Sequence, residues 1–150
     1  MTRKRLRVFL DTSALFSAVL SNTGGARELF RLGEAGLLDL AVGPNVLREA
    51  DEVVRRKAPA SLPTLARLLA AGGVQSGPTA KAEQIESARG LAAYEPDARV
   101  LAEAMQSGAD WFVTHDKEHF LSVKTAVRLP FEIGTPGDLL QRFKDELTLS

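Results

Sequence analysis

Apolar positions along this chain alternate between short unbroken runs and stripes spaced three and four residues apart. Val8, Phe9 and Leu10 form the first run, and Asp11 follows at once. A run this short, with β-branched and aromatic members, predicts a buried strand. Asp11, Thr12 and Ser13 turn the chain polar, and Ser13 is placed to cap a helix over Ala14 to Leu20. Asn22-Thr23-Gly24-Gly25 breaks the pattern, and Ala26 to Leu32 resumes it with Leu29 and Phe30 facing inward. Gly33 and Gly36 close this helix. Leu37 to Val42 predicts a second strand, and Gly43-Pro44-Asn45 opens the next helix. Across Val46 to Lys57, residues Val46, Leu47, Ala50, Val53 and Val54 share one face of a helical wheel. Pro59 and Pro63 end it.

Leu62, Leu65, Leu68 and Leu69 mark a helix over Leu62 to Ala71, and Val74-Gln75-Ser76 reads as a weak third strand. A helix over Lys81 to Ala93 precedes a stronger one that starts at Glu95-Pro96-Asp97, since proline suits the first helical turn. Val100, Leu101, Ala104 and Met105 form its stripe. Trp111-Phe112-Val113 predicts a fourth strand and Phe131-Glu132-Ile133 a fifth, poorer one. Gly134-Thr135-Pro136 leads into a last helix, Asp138 to Leu147. Strands alternating with helices predict an α/β domain over residues 1–150, its parallel sheet covered on both faces.

Composition narrows the classes. The 150 residues are enough for one domain with a real core. Nineteen basic and nineteen acidic side chains leave no net charge, so contact with a nucleic acid must rest on local patches. Arg3, Lys4, Arg5, Arg55, Arg56, Lys57 and Lys117 are the candidates. The absence of cysteine excludes disulfides, thiolate zinc sites and a cysteine nucleophile, and suits a cytoplasmic protein. No apolar run is long enough to span a bilayer.

The chemistry lies in the acids. Asp11 follows strand one, Asp97 opens a helix, Asp116 follows strand four, and Glu49 lies one turn into the helix after strand two. Ligands of open α/β sheets bind at the carboxyl edge of the strands, where these positions fall. Carboxylates gathered at one point repel, and the usual outcomes are raised pKa values or a bound cation. Oxygen ligands alone favour a hard ion, Mg²⁺ or Mn²⁺, which suits phosphodiester hydrolysis. Each acid also has a plainer reading. Asp97 suits the helix dipole, and Asp116 could be a loop acid. Glu49 and Asp51 flank the apolar face equally on the wheel, with Glu52 further out. His115 and His119 have no third histidine with which to build a site.

Four segments together resemble the PIN-domain nucleases: LDTSALFSAVL, VLREADEVV, PDARVLAEAMQSGADWFVTHDKEHF and LPFEIGTPGDLL. The likeness is nearest to the bacterial toxin components of VapC-type toxin–antitoxin pairs, and it spans nearly the whole chain in order. The resemblance implies metal-binding and catalytic roles for Asp11, Glu49, Asp97 and Asp116, which selects Glu49 over Asp51. It implies supporting roles for Thr114 and for Ser13, which stands where the family often has Asn. Among the basic candidates for substrate binding, Lys117 is nearest the acids in sequence. It also implies a five-stranded parallel sheet in the order 3-2-1-4-5 and divalent-metal-dependent cleavage of RNA. An antitoxin partner and a homodimer complete the expectation. Asp110, Glu95 and Glu118 have no role in it.

Two rival readings remain. A phospho-acceptor signalling domain would need an acid after the third strand, and none occurs between Glu52 and Glu83. A PIN-like module could bind RNA or a partner without cutting.

Overall fold

The structure is a computed structural model, and it describes residues 5–92, 94–116, 120 and 129–149. Arg3, Lys4, Lys117, Glu118 and His119 lie outside the described residues, as does Ala93, the expected end of one helix. Five strands form one sheet: β1 (Leu6–Leu10), β2 (Leu38–Val42), β3 (Gln75–Ser76), β4 (Trp111–Val113) and β5 (Glu132–Gly134). Their order is β3-β2-β1-β4-β5, and every pair is parallel. Seven α-helices occur among the described residues: α1 (Thr12–Leu20), α2 (Gly25–Glu34), α3 (Pro44–Lys57), α4 (Leu62–Ala71), α5 (Ala82–Arg89), α6 (Glu95–Ser107) and α7 (Pro136–Leu149). None is long and apolar enough to cross a membrane.

Successive strand residues point to opposite faces. Val8, Phe9 and Leu10 are all buried, so helices cover both faces of β1. Phe112 on β4 is the hub of the aromatic core. Its ring stacks on Phe9 at 5.9 Å and Phe131 at 5.8 Å between centroids, and meets Phe120 edge-on at 5.1 Å. Beyond β1 the chain order reverses, because β2 lies on one side and β4 on the other. The carboxyl ends of β1 and β4 therefore flank the switch point where such sheets open a crevice. Asp11 and Thr114 stand at those two ends, and the Asp11 N–H donates to the Val113 carbonyl at 2.9 Å.

Several boundaries shift from the sequence expectation. β5 begins one residue late, because Trp111 pairs with Glu132 and leaves Phe131 to the core. β3 shortens to two residues, and Val74 is left to pack against the core. α5 stops at Arg89, where Gly90 follows. The cap of α1 is Asp11, not Ser13, which lies in the first turn and uses its hydroxyl elsewhere. α7 starts at Pro136 through a reciprocal cap. The Thr135 N–H donates to Asp138 Oδ2 at 2.9 Å, and the Asp138 N–H donates to Thr135 Oγ1 at 3.1 Å.

One long-range contact fixes α3 against α6. Gly43 precedes α3 and has no side chain to cap it. Glu103 of α6, only 3% exposed, supplies the cap. Its Oε1 accepts from the Asn45 N–H at 3.0 Å and from Asn45 Nδ2 at 2.6 Å. Burial raises the Glu103 pKa, and the two Asn45 donors pull against that rise. A Cβ added at Gly43 would sit 2.8 Å from Glu103 Cβ, too close for carbon. Gly43→Ala should therefore destabilise the fold by about 1–3 kcal/mol, the usual range for overpacking. Urea denaturation reads this directly, and an unchanged midpoint would remove Glu103 as the close neighbour.

Candidate metal centre

Four different elements deliver acids to one place. Asp11 sits between β1 and α1, Glu49 is in α3, Asp97 is in the first turn of α6, and Asp116 follows β4. All four line a single open pocket of about 440 Å³, together with Thr12, Ser13 and Tyr94. Among the described residues this lining holds no Lys or Arg. Asp11 and Asp97 are partly buried, whereas Glu49 and Asp116 are exposed at the rim.

Asp11 is the most tightly held. Thr114 Oγ1 donates to Asp11 Oδ2 at 2.8 Å, and Ser13 Oγ approaches the same oxygen at 3.3 Å. Both hydroxyls serve Oδ2, so neither occupies Oδ1. Thr114 is fully buried, and its hydroxyl accepts the Asp116 N–H at 2.9 Å. Ser13 Oγ lies 3.2 Å from Thr114 Oγ1 and accepts the His115 N–H at 3.0 Å. These bonds tie the backbone that carries Asp116 to the carboxylate at the end of β1. A local pair of hydroxyls thus links two acids more than a hundred residues apart in sequence.

Burial pushes the Asp11 carboxyl above its ordinary value, against the Thr114, Thr12 and Ser13 hydrogen bonds, and Asp97 adds repulsion. Burial also raises Glu49, followed by repulsion from Asp11 and Asp97. Thr12 Oγ1 is buried without a hydrogen-bond partner, and it approaches Glu49 without reaching bonding geometry. Among the described residues no three His, Cys, Asp or Glu side chains already form an ion cage. The carboxylates rim the pocket and do not close on one point. Even so, the donor set fits a hard divalent ion: oxygen ligands only, mutual repulsion, and no cation among the lining.

The structure separates the remaining candidates. Asp51, which the helical wheel could not tell from Glu49, accepts from Arg55 Nε at 2.8 Å and lines a different groove. Asp110 accepts the Arg7 N–H at 2.8 Å at the amino edge of the sheet, a structural role. Glu95 pairs with Arg89 at 2.9 Å. Arg5 lies at the start of β1, opposite the pocket, and pairs with Asp39 at 3.5 Å. Arg55, Arg56 and Lys57 sit in the last turn of α3 and do not line the pocket. Residues absent from the sequence expectation are Thr12, Tyr94 and Glu103. Tyr94 is 62% exposed at the rim, and no periodic pattern marks it.

No curated protein matches the chain. Solved structures do resemble it. PAE2754 from Pyrobaculum aerophilum is 17% identical with a TM-score of 0.64, covering 91% of this chain and 88% of its own. DNA-bound VapBC from Salmonella typhimurium is 18% identical with a TM-score of 0.66, covering 87% and 98%. VapC20 from Mycobacterium tuberculosis, a sarcin-ricin loop cleaving toxin, is 19% identical with a TM-score of 0.53, covering 77% and 94%. At such identities the likeness speaks for the fold. The PIN domain family profile matches residues 7–118, a stretch that runs from β1 through β4 and includes all four pocket acids. With the 3-2-1-4-5 parallel sheet and that match over most of its length, the chain belongs to the PIN domain family.

Proposed function

We propose that this protein is a divalent-metal-dependent endoribonuclease and the toxin of a type II toxin–antitoxin pair. The observation that carries the reading is the convergence of Asp11, Glu49, Asp97 and Asp116 on one pocket without a lining cation. These four would hold Mg²⁺ or Mn²⁺. Such an ion, when bound, lowers the pKa of an attacking water and offsets charge that builds on the phosphate. The chain's own residues supply the geometry. Thr114 and Ser13 hold Asp11 Oδ2 and fix the backbone at His115 and Asp116. Asn45 and Glu103 fix α3, and with it Glu49, against α6, which carries Asp97. Tyr94 offers an exposed ring at the rim on which a base can stack. Lys117 follows Asp116 directly and is assigned to the RNA backbone.

The VapBC neighbour supports an antitoxin partner; homodimer assembly and a cytoplasmic setting belong to the same proposal. The phospho-acceptor rival fails on sequence and topology, because β3 ends at Ser76 with no acid near it. The non-cutting module has one observation in its favour, the absence of a closed ion cage among the described residues.

An assay on structured and unstructured RNA separates the two. Cleavage should require Mg²⁺ or Mn²⁺ and stop with chelator. Undiminished cleavage in EDTA would refute the metal reading, and RNA binding without cleavage under either ion would select the non-cutting module.

A further inference from the structure

A second cavity of about 200 Å³ opens beside the acidic pocket and shares Glu49, Pro96 and Val100 with it. Arg48 and Arg99 both line it, one from α3 and one from α6. We propose that this cleft binds a backbone phosphate of single-stranded RNA next to the scissile one, gripped by Arg48 and Arg99. The inference rests on the ribonuclease reading and sets two guanidiniums beside the acidic pocket.

The placement follows from the two helices. α3 carries Glu49 to the acidic pocket and, one residue earlier, Arg48 to the cleft. α6 carries Asp97 to the pocket and, two residues later, Arg99 to the cleft. Both guanidiniums are exposed and oriented from behind. Arg48 donates to Asn45 Oδ1, and Asn45 is itself pinned to buried Glu103. Arg99 Nε lies 3.3 Å from Glu95 Oε1. Both act on the Glu103 carboxylate, so both surround the same seam between α3 and α6.

Each guanidinium has five donors in a planar fork suited to phosphate oxygens, and each spends only part of them inside the protein. The need for such a site is electrostatic. A polyanion that approaches four carboxylates is repelled, and a chain with no net charge offers no general attraction. Glu49, Glu52 and Glu95 also line the cleft, and Glu95 is matched by both Arg89 and Arg99. Glu49 and Glu52 weaken binding of a free anion, so the cleft should favour a strand anchored in both cavities.

The test is fluorescence anisotropy of a fluorescein-labelled uridine oligonucleotide in EDTA, over a range of NaCl. The probe compares wild type with the Arg48→Gln/Arg99→Gln double variant. Affinity should fall on the order of tenfold at low salt, as expected for loss of a charged hydrogen bond. The slope of log Kd against log salt should also fall by about 0.7 for one lost phosphate contact on a single strand. An Arg48→Lys/Arg99→Lys variant should keep the salt slope, which a merely structural role would not predict. Arg55→Gln/Arg56→Gln, at the far end of α3, should leave both quantities unchanged. Wild-type affinity and slope in the Gln variant would overturn the subsite, as would an equal loss in the Arg55/Arg56 variant. Cleavage by the wild-type preparation with Mg²⁺ is measured alongside. If cleavage persists while the Gln variant binds normally, the subsite falls and the nuclease stands. If no cleavage occurs, the nuclease reading falls on its own evidence.

Discussion

Asp11→Asn is expected to slow RNA cleavage by about a thousandfold or more while the fold persists. The side chain keeps its size but loses the charge most deeply set in the pocket. A bound ion contributes several kcal/mol to transition-state stabilisation, and about 4 kcal/mol corresponds to that rate factor. The same substitution should stabilise the metal-free protein. Burial raises the Asp11 pKa, so the folded chain holds its proton more tightly than the unfolded chain does. Stability from that group is complete below the ordinary carboxylate range and is lost as pH rises through the raised value. At neutral pH the buried charge is a cost, and Asn removes it. Thermal melts in EDTA should therefore place the variant above wild type. Added Mg²⁺ should raise the wild-type melting temperature only, since an ion that binds the native state stabilises it by mass action. A variant that melts lower in EDTA, or that gains as much from Mg²⁺, would contradict this account of Asp11.

Thr114→Val is the second large effect. Valine matches threonine in shape and removes only the hydroxyl. That hydroxyl donates to Asp11 Oδ2 and accepts the Asp116 N–H at once. Loss of a group that orients metal ligands typically costs ten- to a hundredfold in metal affinity or activity. The two abandoned partners add about 1–3 kcal/mol of instability, the usual cost of an unsatisfied buried polar group. Calorimetric titration with Mn²⁺ should show the weakened affinity, and Thr114→Ser should recover most of it. Equal affinity in Thr114→Val would mean that Asp11 and Asp116 are positioned by the backbone alone.

Much of this was legible in the sequence because it is local. The apolar run before Asp11 ends in a charge, and a buried strand that terminates in an acid announces its carboxyl edge. The Pro96 start of α6 and the stripe from Val100 to Met105 read equally well. The weaker features depend on contacts between distant residues. β5 slipped by one residue because its register is set by pairing with Trp111, not by its own pattern. Glu49 and Asp51 are equivalent on a helical wheel, and their contacts in the fold distinguish them: Asp51 pairs with Arg55 one turn along the same helix, and Glu49 lines the pocket. Glu103 sits in an apolar stripe as a lone charge, and its partner Asn45 lies 58 residues earlier. No spacing rule connects them. Tyr94 gave no signal because a single rim aromatic belongs to no period.

In the proposed metal centre the four acids share one hard ion site. Anomalous diffraction from a crystal soaked in Mn²⁺ tests it most directly. A Mn²⁺ peak is expected in the acidic pocket, with Asp11 and at least one of Glu49, Asp97 and Asp116 contributing oxygens at about 2.0–2.6 Å, the range for hard cations. No peak at saturating Mn²⁺, or a peak whose ligands include none of these four residues, would contradict it.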